Sequence, residues 1–250
     1  MKKRYSEKKT KNFYDKLMNG KSIFTFFTKD TRYNVDIILK KKNIDIYFDS
    51  AVKKIINEND LILDYGCGPG TFSIKLSKLT KNNVHSVDIS KKFLEEFEKI
   101  KKKYNSNNIK TLLIEENKLP FNNDYFDKVL LFDVIHHLEE PEETLKEIYR
   151  VLKKNGKIII YEPNKLNPLI ALMHLIDPIE RGLLKLGTKK TYLNLFKKVD
   201  LKVTFEEYSG IIVGPDSSIF EIISKILNKK IIFKYFGWLN PKIFLIAEKN

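Results

Sequence analysis

Cysteine is almost missing from this chain of 250 residues: Cys67 stands alone, so no disulfide can form within it. Nor is there a cysteine pair or a Cys/His cluster spaced for a metal, and no metal site is expected. Long apolar runs are missing too. A stretch such as Leu169–Ile176, "LIALMHLI", falls far short of the roughly 18 residues a membrane span needs. The charged start, "MKKRYSEKKTKN", has no apolar core behind it, so a cleaved secretory signal is not expected. A cytoplasmic location is expected, with contact to the inner face of the membrane left open. Arg-rich or aromatic-interleaved basic stretches are absent, so a nucleic-acid partner is not expected.

Charge is abundant but uneven. The chain carries 46 Lys and Arg against 32 Asp and Glu, a formal net of +14. Residues 1–57 and 164–250 hold the excess, and the centre is close to neutral. A lysine-rich surface explains this as well as an anionic substrate or a phospholipid surface meeting the two flanks does.

Strand and helix signals alternate through the neutral centre. Apolar runs at Leu61–Gly66, Asn83–Ser90, Ile109–Glu116, Asp127–Ile135 and Lys157–Glu162 read as strands. Between them fall amphipathic segments. Phe72–Leu79 is one. Ser90 is placed to cap "KKFLEEFEKIKKKY", and Pro141 to open "EETLKEIYRVLKK", which Asn155-Gly156 would end. Strands alternating with helices of this length predict parallel crossovers in a doubly wound α/β domain covered on both faces.

Three segments lie outside that core. Residues 1–57 read as a helical cap, and residues 58–250 as the domain proper. Two insertions, at about 163–200 and 211–241, are long enough to be lids or binding elements. In the second, Ile219, Ile222, Ile223, Ile226 and Leu227 form one apolar face among lysines. That face could close over the domain as a lid or rest on a bilayer.

The stretch Leu61–Gly70, "LILDYGCGPG", sets Asp64 two residues before glycines at 66, 68 and 70. Glycines after a strand and before a helix let a ligand approach bare backbone, although a tight turn alone would also use them. A dinucleotide turn is spaced G-x-G-x-x-G and receives a diphosphate. Here the carboxylate suits a cationic amino group instead. Asp88, at the end of the next strand, suits the two hydroxyls of a ribose.

With these motifs the sequence resembles the class I S-adenosylmethionine-dependent methyltransferases of small molecules. The resemblance covers roughly residues 58–163: "LDYGCGPG", "VDIS", "IEENKLPFNNDYFDKVLLFDVIHHLEEP" and "LKKNGKIIIYEPN" occur in order. It implies a Rossmann-like, seven-stranded, mostly parallel sheet, whose last strands are "LKVTFEEY" and "KIFLIAEK". By position it assigns Asp64, Gly66, Cys67, Gly68 and Gly70 to the methionine part of the cofactor. Asp88 and Ile89 would meet the ribose, Glu115 or Glu116 the adenine, and Phe132 and Asp133 the cofactor beyond the fourth strand.

A hydroxyl acceptor would need a base. His136 and His137 are the first candidates and Glu162, expected to face the same crevice, the second; the histidines could equally just pack the loop. His174 reads as a helix-surface or core residue. No N-P-P-Y or D-P-P-Y follows the fourth strand, the motif with which relatives grip the amine of a nucleobase. The expected acceptor is therefore a small or lipid-linked hydroxylated molecule, such as a sugar. A quinone-type carbon methylation, or cofactor binding without turnover, is the alternative.

Overall fold

A computed structural model describes residues 7–18, 33–42, 44–115, 118–176, 183–210, 222–223, 225–226 and 229–250. Helix α1 (Glu7–Met18) is followed by a short helix at Val35–Leu39 and a helical stretch over Ile44–Val52. The centre then runs β1 (Ile62–Tyr65), α2 (Thr71–Leu76), β2 (Val84–Asp88), α3 (Lys91–Lys103), β3 (Ile109–Leu113), β4 (Phe126–Phe132), α4 (Pro141–Val151) and β5 (Leu152–Pro163). The remainder contains α5 (Pro168–Ile176), a turn of helix at Leu183–Leu186, α6 (Lys189–Lys198), β6 (Leu201–Ser209), α7 (Lys230–Phe236) and β7 (Lys242–Lys249).

The strands form one seven-stranded sheet in the order β3-β2-β1-β4-β5-β7-β6. β1 to β5 run parallel, and β7 lies antiparallel to both β5 and β6. Alternate residues feed two cores. Leu63, Val87, Val129 and Leu131 pack on one face, and Ile62, Val84, Leu130 and Ile159 on the other. Burial on both faces is why these strands are continuous apolar runs. Strand order reverses between β1 and β4, and in sheets of this kind ligands bind at the carboxyl ends beside that reversal.

Local chemistry sets several ends. Ser90 Oγ accepts the Phe93 N–H at 3.2 Å and caps α3. Thr188 and Thr191 close a reciprocal box at the start of α6. Elsewhere tertiary contacts override local signals. α4 stops at Val151 rather than at Asn155-Gly156, because the fully buried Leu152 already pairs with Phe126 as the first residue of β5. Asn155, in the left-handed region, turns within that strand and not after a helix. Strand β3 ends at Leu113, and Ile135–His137 is a single 3₁₀ turn beyond β4.

Candidate active site

The three loop glycines do different jobs. Gly66 and Cys67 donate their N–H groups to the Val87 carbonyl, at 2.9 and 3.0 Å, which ties the loop to β2. All three glycines have positive φ. A Cβ at Gly66 would stand 2.6 Å from Val134, and one at Gly70 only 2.1 Å from the Phe97 ring. Gly70 is thus required by packing under α3, and it is not among the residues that line the cleft. At Gly68 a Cβ would meet nothing within 4 Å, so this is the bare backbone that faces open space.

That space is a cleft of about 1100 Å³, mouth included, at the carboxyl ends of β1, β2 and β4. Asp64, Gly66, Cys67, Gly68, Asp88 and Ile89 line one side of it, and Phe132 and Asp133 another. Asp64 is held by Ser73, whose Oγ donates at 2.5 Å and in turn accepts from Ser86 Oγ at 2.9 Å. Burial raises the Asp64 carboxyl to about 7, against the pull of the Ser73 hydrogen bond. Asp88 accepts the N–H groups of Gly68 and Ser90, both at 2.8 Å, yet burial still lifts it to about 6. Two desolvated carboxylates beside bare backbone favour a ligand that brings positive charge and hydroxyl donors. Burial and the same two carboxylates push the Cys67 thiol well up, which leaves it a lining residue rather than a nucleophile.

The candidate bases separate. His137 lines the cleft, and its Nε2 lies 3.2 Å from Tyr14 Oη. Glu162 does not face the crevice. It is fully buried, and its Oε1 accepts the N–H groups of Val134 and Ile135 at 2.8 Å. Its Oε2 meets His136 Nδ1 at 2.7 Å and the Tyr192 hydroxyl at 3.3 Å. Glu162 and His136 therefore fasten the turn beyond β4 from behind, and the His136 ring lies 3.9 Å from that of His137. They position His137 rather than touching a ligand. His174, also buried, lies edge-on to His136 and meets the Ile170 carbonyl within its own helix.

Glu115 is exposed at the end of β3, and the neighbouring residue on the cleft wall is Ile114. Glu116 lies outside the described residues. Asp133 has a φ of 58° and pairs with Lys242 at the start of β7, whose ammonium also sits 5.0 Å from the Phe132 ring centre. Lys242 escaped sequence reasoning, as did Tyr14, Tyr33 and Phe93. Those three rings pack together over the cleft, with centroids 5.0 to 5.8 Å apart. Ser90 Oγ, besides capping α3, donates to Asp15 at 2.6 Å and holds α1 there. In the sequence only the helical cap expected over residues 1–57 hinted at this roof. Among the described residues, no group of three His, Cys, Asp or Glu could hold a metal ion.

A doubly wound sheet with a glycine loop between two carboxylates at its reversal point is an arrangement in which α/β proteins hold nucleosides. Comparison with known proteins makes this specific. The methyltransferase domain family matches residues 56–199, more than half of the chain, and the protein belongs to that family. The ubiquinone/menaquinone biosynthesis C-methyltransferase UbiE of Rickettsia rickettsii is 28% identical over 176 residues, 65% of this chain and 70% of that one. An uncharacterized methyltransferase of Schizosaccharomyces pombe is 32% identical over 124 residues, covering 47% and 45%.

Among solved structures, a SAM dependent methyltransferase from Aquifex aeolicus superimposes with a TM-score of 0.62 at 16% identity, over 88% of this chain and 98% of that one. The [4+2]-cyclase SpnF also gives 0.62, at 14% identity over 98% and 96%. The protein is an S-adenosylmethionine-dependent methyltransferase. Its cleft fits that cofactor: Asp64 could take the ammonium, Gly68 the close approach and Asp88 the ribose.

Proposed function

We propose that the methyl acceptor is a hydroxylated aromatic ring, small or carried on a lipid, and that His137 takes its hydroxyl proton. The observation that supports this reading is the roof of Tyr14, Tyr33 and Phe93 beside His137, a wall of packed rings. A flat ring stacks on such a wall. A sugar, the acceptor favoured by sequence, needs a polar partner for most of its hydroxyls. UbiE, by name a C-methyltransferase of quinone biosynthesis, adds support from a relative of modest identity.

Bound S-adenosylmethionine supplies an electrophilic methyl group. The protein's share is placement, with nucleophile and methyl held in line at about 3–3.5 Å. Glu162 and His136 fix the turn that carries His137. In this structure His137 Nε2 meets Tyr14 Oη at 3.2 Å, so an acceptor hydroxyl gives up its proton there by taking Tyr14's place at that nitrogen. Loss of that proton makes the oxygen, and the ring carbon beside it, nucleophilic.

The test is initial rates with a prenylated dihydroxybenzene against a hexose on the same tail. The aromatic acceptor should be methylated and the hexose not; turnover of the hexose alone would overturn the reading. His137→Gln should lower kcat about a hundredfold and leave cofactor affinity within twofold. A fall of less than about threefold would place the base elsewhere.

A further inference from the structure

One corner of the molecule is apolar on its outer surface. On α5, Leu169, Leu172 and Leu175 are 50, 53 and 55% exposed and stand three residues apart, so they form one outward stripe. The inner side of the same helix is anchored, with His174 3% exposed against His136. This inverts the usual arrangement, in which a surface helix turns its polar side to water. Near the start of β7, Ile231, Tyr235 and Trp238 are exposed as well. So are Ile222 and Ile226, two members of the face that could have closed as a lid.

The starts of the two segments are tied together. Asn164 Nδ2 donates to the carbonyls of Trp238 and Asn240 at 2.7 and 2.8 Å. Asn167 Nδ2, at the start of α5, donates to the Leu239 carbonyl at 2.6 Å. Along the two stretches the charge has one sign, while β6 alongside carries Glu206 and Glu207. Residues 163–176 and 222–247 contain no Asp or Glu, and the second stretch holds Lys225, Lys229, Lys230 and Lys234. Lys225, Lys229 and Lys234 are exposed.

We propose that this corner docks on an anionic lipid bilayer. Leucines and half-exposed aromatic rings would enter the headgroup boundary while the lysines meet lipid phosphates. Scattered apolar residues are ordinary on a protein surface, but this many large ones on two linked, lysine-bearing segments are not. The corner also lies beside the cleft: β5 ends where α5 leads off, Pro163 pairs with Lys242, and Lys242 holds Asp133 of the cleft wall. Docking there would bring the mouth of the site to the membrane. The inference goes beyond the acceptor reading and does not depend on it.

The experiment is co-sedimentation of the full chain with vesicles of phosphatidylcholine alone and of equimolar phosphatidylcholine and phosphatidylglycerol. The protein should pellet with the anionic vesicles, weakly with the neutral ones, and less in high salt. Lys229→Gln and Lys234→Gln should each weaken binding about fivefold. Leu172→Glu with Tyr235→Glu should abolish it while S-adenosylmethionine affinity, measured by calorimetry, stays unchanged. No pelleting of the wild type, equal pelleting of the double variant, or a stable dimer in sedimentation that the double variant dissolves would each overturn the proposal. Methylation of a water-soluble ring in the absence of vesicles tests the acceptor reading separately.

Discussion

The parallel centre of this methyltransferase and the segments that surround it are built on opposite terms. In the centre, strands β1 and β4 are buried almost throughout, and the two carboxylates that face the cleft are buried with them. In the surrounding segments, leucines and aromatic rings stand in water among lysines. The centre holds a fixed ligand shape by backbone geometry. The periphery supplies what varies, the roof over the acceptor and the outer surface. SpnF, by title a [4+2]-cyclase, superimposes over nearly the whole chain. A shared fold therefore leaves the acceptor chemistry to be argued from side chains that the fold itself does not dictate.

The sharpest way to break this comparison is to strain the centre. Gly70→Ala would press a Cβ into the Phe97 ring at a φ of 94°. Overpacking and a left-handed alanine together should cost about 4 kcal/mol of stability, read from the denaturant midpoint. Gly68→Ala meets open space and should cost only about 1 kcal/mol, yet lose more in cofactor affinity than in stability. If the two variants destabilise alike, the division of labour among the glycines is wrong.

Next comes Asp88→Ala. It removes the acceptor of the Gly68 and Ser90 N–H groups and the partner expected for the ribose. S-adenosylmethionine should bind about 30-fold more weakly, about 2 kcal/mol, in a calorimetric titration. Unchanged affinity would place the nucleoside elsewhere.

What the sequence discloses follows the range of the interaction. The five parallel strands are apolar runs that signal themselves, and the spacing of Asp64, the glycines and Asp88 lies within about one crossover unit. Glu162 was misplaced because its partners are 26 to 30 residues away, in a turn whose backbone orientation no pattern specifies. Gly70 answers to Phe97 on the next helix, which spacing cannot show. Tyr14 reaches His137 across 123 residues. The early end of α4 has the same cause: Leu152 is claimed by the sheet despite a fair helix signal running to Lys154.

Electrostatics offers a milder perturbation of the centre. With its carboxyl raised from the usual 3.8 to about 7, Asp64 stabilises the cofactor-free fold when protonated. That stability is fully present below about pH 4 and is lost as pH rises through about 7. Binding of a cationic amino group runs the other way, because it needs the ionised carboxylate. Affinity for S-adenosylmethionine should fall about tenfold per unit as pH drops below about 7, about 1.4 kcal/mol. Titrations in buffers of different ionisation enthalpy should register close to one proton released at pH 6. A flat affinity from pH 5 to 8 would remove Asp64 from the cofactor's ammonium.

The smallest expected effect separates the two regions most cleanly. Tyr14→Phe keeps the ring that packs on Phe93 and Tyr33 and deletes only the hydroxyl beside His137. That hydroxyl meets His137, so cofactor affinity should stay within twofold. If α1 merely covers the cleft, kcat/KM should stay there too. If the Tyr14 hydroxyl must yield His137 Nε2 to the acceptor, deleting it should raise kcat/KM about fivefold, near 1 kcal/mol. A helix at the edge of the chain would then act on turnover alone, while the buried centre governs folding and cofactor binding.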